Sequence, residues 1–155
     1  MPTDFEWQDC YNVGNAVIDQ QHKNMLRLCS EAARCQESAG PESREMFHDI
    51  LHEMAVCARV HFVTEEELLL ASNYPMLAEH VAEHEQFQVR LADFLFSAVE
   101  GDLDRTGVFH FLSEWWGSHV LESDMACRSY LAETDTGGLY LKADGLAFNA
   151  TSGSD

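Results

Sequence analysis

Basic residues are scarce in this 155-residue chain: 9 Lys plus Arg stand against 27 Asp plus Glu, for a formal charge of −18. Such a surface repels phosphate backbones and anionic lipid headgroups, so nucleic acid and membranes are poor partners. No uninterrupted apolar run approaches the roughly 18 residues that a spanning helix needs. The start of the chain, Met1-Pro2-Thr3-Asp4-Phe5-Glu6, has neither a basic cluster nor an apolar stretch, so no export signal is read there and a cytoplasmic protein is expected. Internal repeats, low-complexity tracts and glycine-rich phosphate loops are missing as well. The five cysteines (Cys10, Cys29, Cys35, Cys57, Cys127) are odd in number and contain no C-x-x-C pair, which fits reduced thiols better than a disulfide framework. Cys29 and Cys57 read as small core residues on helical faces.

What the chain does have is a 46% hydrophobic content, enough at this length for one domain with a core of its own. Residues 1–16 carry Phe5, Trp7, Tyr11 and Val13 among Asn12, Gly14 and Asn15, which reads as an ordered arm without a helical period. From Val17 to Ser38, Ile18, His22, Met25, Leu26, Cys29 and Ala33 recur at three- and four-residue steps and predict a first helix. A second runs from Pro41, suited to a first helical turn, to about Ala71, where Ser72-Asn73-Tyr74-Pro75 breaks the pattern. A third spans about Pro75 to Glu100, and Gly101-Asp102-Leu103-Asp104 turns the chain into a fourth, Arg105 to Ala132. Residues 133–155, rich in Gly, Thr, Ser and Ala, read as a loose tail or the start of a linker. Four long amphipathic segments joined by short turns predict an all-α, antiparallel up-down-up-down four-helix bundle over residues 1–132.

Several polar residues fall on the faces these helices should bury. Residues four apart on a helix lie within about 40° of each other. His61 therefore shares a face with Glu65, and His80 with His84; His61 is seven residues past Met54, and His84 seven before Leu91. His22 lies between Ile18 and Met25, and His119 seven past Leu112. All four helices thus aim imidazole inward. An unpaired buried imidazole costs on the order of 1–3 kcal/mol and an unpaired carboxylate more. Metal coordination is the simplest compensation, since neutral imidazole and carboxylate both donate lone pairs. Asp124 completes the set less comfortably, because five residues from His119 is about 140° around an ideal helix. Either the helix is locally distorted, or Asp124 reaches in from the flank to an ion further along the bundle axis. Seven donors exceed what one ion accepts, so two metal ions are expected. His48, His52 and His110 are decoys by phase and are expected at the surface; His52 lies about 180° from His61 on the same helix.

These stretches resemble bacterial hemerythrin: Trp7, Val13-Gly14 and Asp19-Gln20-Gln21-His22-Lys23; His61-Phe62-x-x-Glu65-Glu66; Tyr74-Pro75, His80-x-x-x-His84-x-x-Phe87; and Trp115-x-x-x-His119-x-x-x-x-Asp124. The resemblance covers residues 5 to 131 and implies a non-haem di-iron centre. His80, His84 and His119 would saturate one iron, while His22 and His61 would bind the other and leave it an open position. Glu65 and Asp124 would bridge the pair, with an oxo or hydroxo as third bridge. The implied function is reversible binding of dioxygen, its partner, as a carrier, store or scavenger. Phe62, Leu77 and Trp116 are candidate walls of the oxygen pocket. Trp116 departs from the family, which usually carries leucine directly after the tryptophan matched by Trp115. No catalytic residue is assigned. The resemblance also admits an oxygen or redox sensor module coupled to a signalling output domain, and a di-iron enzyme acting on peroxide or nitric oxide.

Overall fold

The computed structural model describes residues 5–36 and 40–132. The expected tail at 133–155 and the end of the first helix at Ser38 lie outside the described residues. The arm enters through a short 3-10 turn at Asp9–Tyr11 and reverses at Gly14, whose φ of 86° lies in the left-handed region that favours glycine. A Cβ there would also meet that of Ala132 at 3.2 Å. Helix α1, Ala16–Gln36, starts two residues after Gly14. Asn15 Oδ1 accepts from the backbone N–H groups of Val17 and Ile18, at 3.1 and 3.3 Å, two donors that the first turn leaves without partners. Its amide Nδ2 donates to the Leu131 carbonyl at 3.2 Å. Asp19 reaches back to accept from Val13 N–H at 2.8 Å. One buried asparagine therefore caps the first helix and ties it to the end of the last.

Helix α2, Pro41–Ala71, opens with its proline in the first turn. It stops at Asn73, which takes a left-handed φ of 56° while Tyr74 N–H donates back to Leu69 at 2.9 Å and Asn73 N–H to Leu70 at 3.1 Å, a Schellman closure. Helix α3, Leu77–Val99, ends in the same way around Gly101, with Asp102 N–H bonded to Ser97. Asp104 caps helix α4, Arg105–Trp115, by accepting from Gly107 N–H at 2.9 Å. The expected single fourth helix is not uniform. After Trp115 it widens into a π-helical stretch, Trp116–Asp124, and after a bend at Cys127 a short helix α5, Arg128–Ala132, completes it.

The main helices pack antiparallel, α1 on α2, α2 on α3 and α1 on α4. Their buried apolar side chains form two clusters. The larger is built around Met25, Leu51, Met54, Phe87, Leu112 and Trp116. The smaller contains Val13, Ile18, Leu68, Leu69, Cys127 and Leu131. In each helix the inward histidine or carboxylate falls between residues of the two clusters. A polar layer therefore divides the core. No described helix is long and apolar enough to cross a membrane. The five thiols are free: Cys29, Cys35 and Cys127 are buried, Cys57 is half-buried and Cys10 exposed.

Asn15→Ala is expected to lower stability by about 1–2 kcal/mol, the usual loss for a helix cap; the shift of the urea unfolding midpoint measures it, and an unchanged midpoint would remove the capping role.

Candidate metal centre

All seven residues expected to donate to metal, six of them by helical phase and Asp124 against it, meet in the polar layer. His22, His61, Glu65 and Asp124 are 0% exposed, and His80, His84 and His119 no more than 3%. His52 and His110 are exposed, as expected. His48 differs from its expected surface position and is half-buried, because it borders the groove between the start of α2 and the Asp102–Thr106 turn.

The donors separate into two overlapping groups, each close enough to share one ion: Glu65, His80, His84, His119 and Asp124 in one, His22, His61, Glu65 and Asp124 in the other. Every imidazole presents Nε2 to the centre. Asp124 Oδ2 lies 3.0 Å from His22, and its Oδ1 lies 3.0 Å from His119 and 3.3 Å from His80. Glu65 Oε2 lies 3.0 Å from His80, 3.3 Å from His84 and 3.7 Å from His61. Both carboxylates belong to both groups, as bridges must.

The position of Asp124 follows from the backbone. In a π-helix the hydrogen bond runs from residue i to i+5, so residues five apart lie close to one face. His119 and Asp124 are five apart, and the widened turn covers both. Of the two ways sequence phase left open, local distortion is the one observed.

Three of the five rings, those of His61, His84 and His119, are oriented from outside the cluster by a residue next to a neighbouring helix's inward donor. Gln21 Oε1 faces His61 Nδ1 at 3.1 Å, Glu66 Oε1 faces His84 Nδ1 at 2.7 Å, and Glu83 Oε2 faces His119 Nδ1 at 2.5 Å. Acceptors here place the ring proton on Nδ1 and leave the Nε2 lone pair pointing inward. Gln21 precedes His22 yet serves His61; Glu66 follows Glu65 yet serves His84; Glu83 precedes His84 yet serves His119. These three roles were missed from sequence. The available signal was a polar residue about 100° from an inward donor, which puts it at a helix–helix seam. Gln21 is held in turn by its Nε2–H bond to Thr64 Oγ1, and Glu83 accepts from Ser123 Oγ–H at 2.8 Å.

Protein groups alone do not satisfy this layer. Glu65 Oε1, both Asp124 oxygens and His22 Nδ1 are buried without a hydrogen-bond partner. Nε2 atoms face each other at 3.3 Å between His22 and His61, and at 2.9 Å between His84 and His119. Converging lone pairs around two buried carboxylates fit cations and fit little else. The electrostatics agree. Burial pushes the His61 imidazole down to about 3, outweighing the pull of Glu65. Burial also acts to lower His119, but the Asp124 and Glu65 carboxylates and the hydrogen bond to Glu83 raise it to about 9. Burial favours protonation of Glu65, yet His61, His80 and His84 hold it well below the usual carboxylate range. Without a metal, His119 thus supplies the positive charge that the carboxylates demand.

Phe62 stacks on the His84 ring at 3.9 Å between centroids and lies 5.6 Å from His61. Trp116, 2% exposed, meets His22 edge to face at 6.1 Å. Leu77 packs, half-buried, against the smaller apolar cluster.

An antiparallel helical bundle whose polar layer offers two carboxylate-bridged groups of imidazoles is a di-metal protein of the histidine-rich kind. The chain belongs to the hemerythrin family: the model of the hemerythrin HHE cation-binding domain matches residues 13–126. A bacteriohemerythrin of Stenotrophomonas maltophilia is 31% identical over 120 residues, covering 77% of this chain and 76% of that protein. One from Clostridium acetobutylicum is 25% identical, covering 82% and 98%, and a hemerythrin-like protein of Naegleria gruberi is 26% identical, covering 84% and 97%. A crystal structure of wild-type hemerythrin superposes with a TM-score of 0.71 at 20% identity, covering 82% and 97%, and shares the fold.

His61→Ala and His84→Ala are each expected to lose bound metal and about 3 kcal/mol or more of stability, because the remaining buried charges lose a partner. His52→Ala should leave metal content and melting temperature unchanged; if it strips metal instead, the helix phase is wrong. Metal titrated into metal-free protein near neutral pH should release at least one proton per chain, the one His119 holds, since ligation needs its lone pair. His61, already neutral, contributes none. Calorimetry in two buffers of different ionisation enthalpy reads this number, and the His119 share should fall away as the pH rises past about 9.

Proposed function

We propose that this chain binds dioxygen reversibly at two iron ions held by His22, His61, Glu65, His80, His84, His119 and Asp124, acting as an oxygen carrier, store or scavenger. The observation that carries the reading is the inequality of the two donor groups. Both share Glu65 and Asp124, but one contains three imidazoles and the other two. An ion held by His22, His61, Glu65 and Asp124 would have one imidazole fewer than its neighbour, which would leave a small molecule a place to bind. When bound, the iron pair supplies two electrons to dioxygen and recovers them as the gas leaves.

The residues around the ions make that exchange gentle. Five neutral imidazoles against two carboxylates leave the site less anionic than a carboxylate-rich one, so higher oxidation states are less stabilised. The acceptors Gln21, Glu66 and Glu83 fix three rings in the tautomer that ligates. Phe62 and Trp116 cover the ligands with apolar surface and exclude water, and with it the protons that would release the reduced gas as hydrogen peroxide. Leu77, at the start of α3, extends that wall in our reading. The names of the relatives point the same way.

The test is the visible spectrum of anaerobically purified, iron-quantified protein before and after air. A charge-transfer band that appears with oxygen and disappears under argon is expected; iron bound without such a band would sink the proposal. Trp116→Leu should shorten the lifetime of the oxygenated form by roughly tenfold, equivalent to ~1.4 kcal/mol of barrier. An unchanged autoxidation rate and oxygen affinity would dismiss Trp116 as a pocket wall.

A further inference from the structure

Trp7, Tyr11, Trp116 and His22 form one continuous file. Successive ring centroids lie 5.7, 6.2 and 6.1 Å apart, and every pair meets edge to face. Trp116 is buried, while Tyr11 and Trp7 are half-buried in the arm. The file therefore leads from the two-imidazole group to the protein surface. Indole and phenol lose an electron far more readily than the phenyl ring of Phe62, which also packs against the ligands. Lys23 Nζ sits 5.0 Å from the Trp7 ring centroid, and a cation there opposes positive charge on that indole. Tyr11 is the better resting place for an electron vacancy, because its phenol can shed a proton to water as it is oxidised.

We propose that Trp116 and Tyr11 conduct single oxidising equivalents from the metal centre to the surface, so that hydrogen peroxide reaching the irons is reduced by a small one-electron donor in solution, an ene-diol such as ascorbate, instead of by the ligands. The inference rests on the iron reading above, and on peroxide binding where that reading leaves a ligand missing, beside His22. Peroxide takes up two electrons and two protons, its O–O bond breaks, and two waters form. Each electron passes from Trp116 to the centre and is replaced from Tyr11. Tyr11 gives its phenolic proton to solvent, becomes a neutral radical, and regains one electron and one proton from the ene-diol. Two such passages balance one peroxide against two donors.

The file has rivals at the other ion. Trp115 stacks on His119 at 5.0 Å, and Tyr74 lies 6.3 Å from His80 and 4.9 Å from Tyr130. Those rings adjoin the three-imidazole group, whose ion would have the fuller set of protein ligands.

The experiment mixes iron-loaded full chain, carrying ring-deuterated tyrosine, with hydrogen peroxide and freezes it for electron paramagnetic resonance. A tyrosyl radical is expected in the parent and should fall to background in Tyr11→Phe and in Trp116→Phe, both of which keep a ring in place. Peptide mass spectrometry after peroxide should then find more oxidised His22 and His61 in the variants. A missing radical in the parent, an undiminished one in Tyr11→Phe, or a signal that disappears only when Tyr74, Tyr130 or Trp115 is replaced overturns the path. Tyr11→Phe should keep the dioxygen-dependent band, so a normal band without a Tyr11 radical refutes the path alone. A Tyr11 radical without the band refutes only reversible dioxygen binding.

Discussion

Two carboxylates, Glu65 and Asp124, lie in the middle of an apolar bundle with no water-facing surface. Nearly everything else about the molecule answers that constraint. Ionised carboxylates in a dry interior cost several kcal/mol each unless opposite charge and hydrogen bonds surround them. Five imidazoles supply the surroundings without adding permanent charge, and acceptors behind three of them set which nitrogen of those rings faces in. The layer divides the apolar core into two clusters, so each helix must carry its polar residue at the right height. A polar layer of this kind fixes helix register more strictly than hydrophobic contact does, because a one-turn slip would leave charges buried alone.

The surface carries the opposite emphasis. The formal charge of −18 belongs largely to solvent-facing side chains, while the inward face holds the groups whose ionisation the fold controls most tightly. The imidazoles of His61 and His119 are displaced in opposite directions, one by burial and the other by neighbouring carboxylates that outweigh it. A centre that stores charge in this way is ready to exchange a proton for a cation. On the proposed function, the same dryness that makes the cations welcome keeps water from a reduced gas.

Most of this could be read from the order of residues. Helical period located the four helices, and the inward imidazoles stood out because a 3.6-residue repeat assigns His22, His61, His80 and His84 to faces otherwise occupied by Met, Leu and Phe. Period also separated His52 from His61 correctly. It failed where the helix departs from period: Asp124 is misphased on any ideal α-helix, and nothing local in Trp116–Asp124 announces the wider turn. It was silent on Gln21, Glu66 and Glu83, since a residue serving the neighbouring helix's donor looks, along its own helix, like ordinary seam polarity. His48 is partly covered by a loop from the far side of the chain, a contact between distant segments that no single-helix pattern contains.

The wide turn between Trp116 and Asp124 has a consequence for anyone wishing to copy the centre. Scaffolds drawn from a strict seven-residue repeat never bring positions five apart onto a common line, so transplanting the donors onto such a scaffold would deliver six of them and strand the seventh. The surplus residue must be engineered in first, together with whatever tolerates the looser hydrogen-bond spacing.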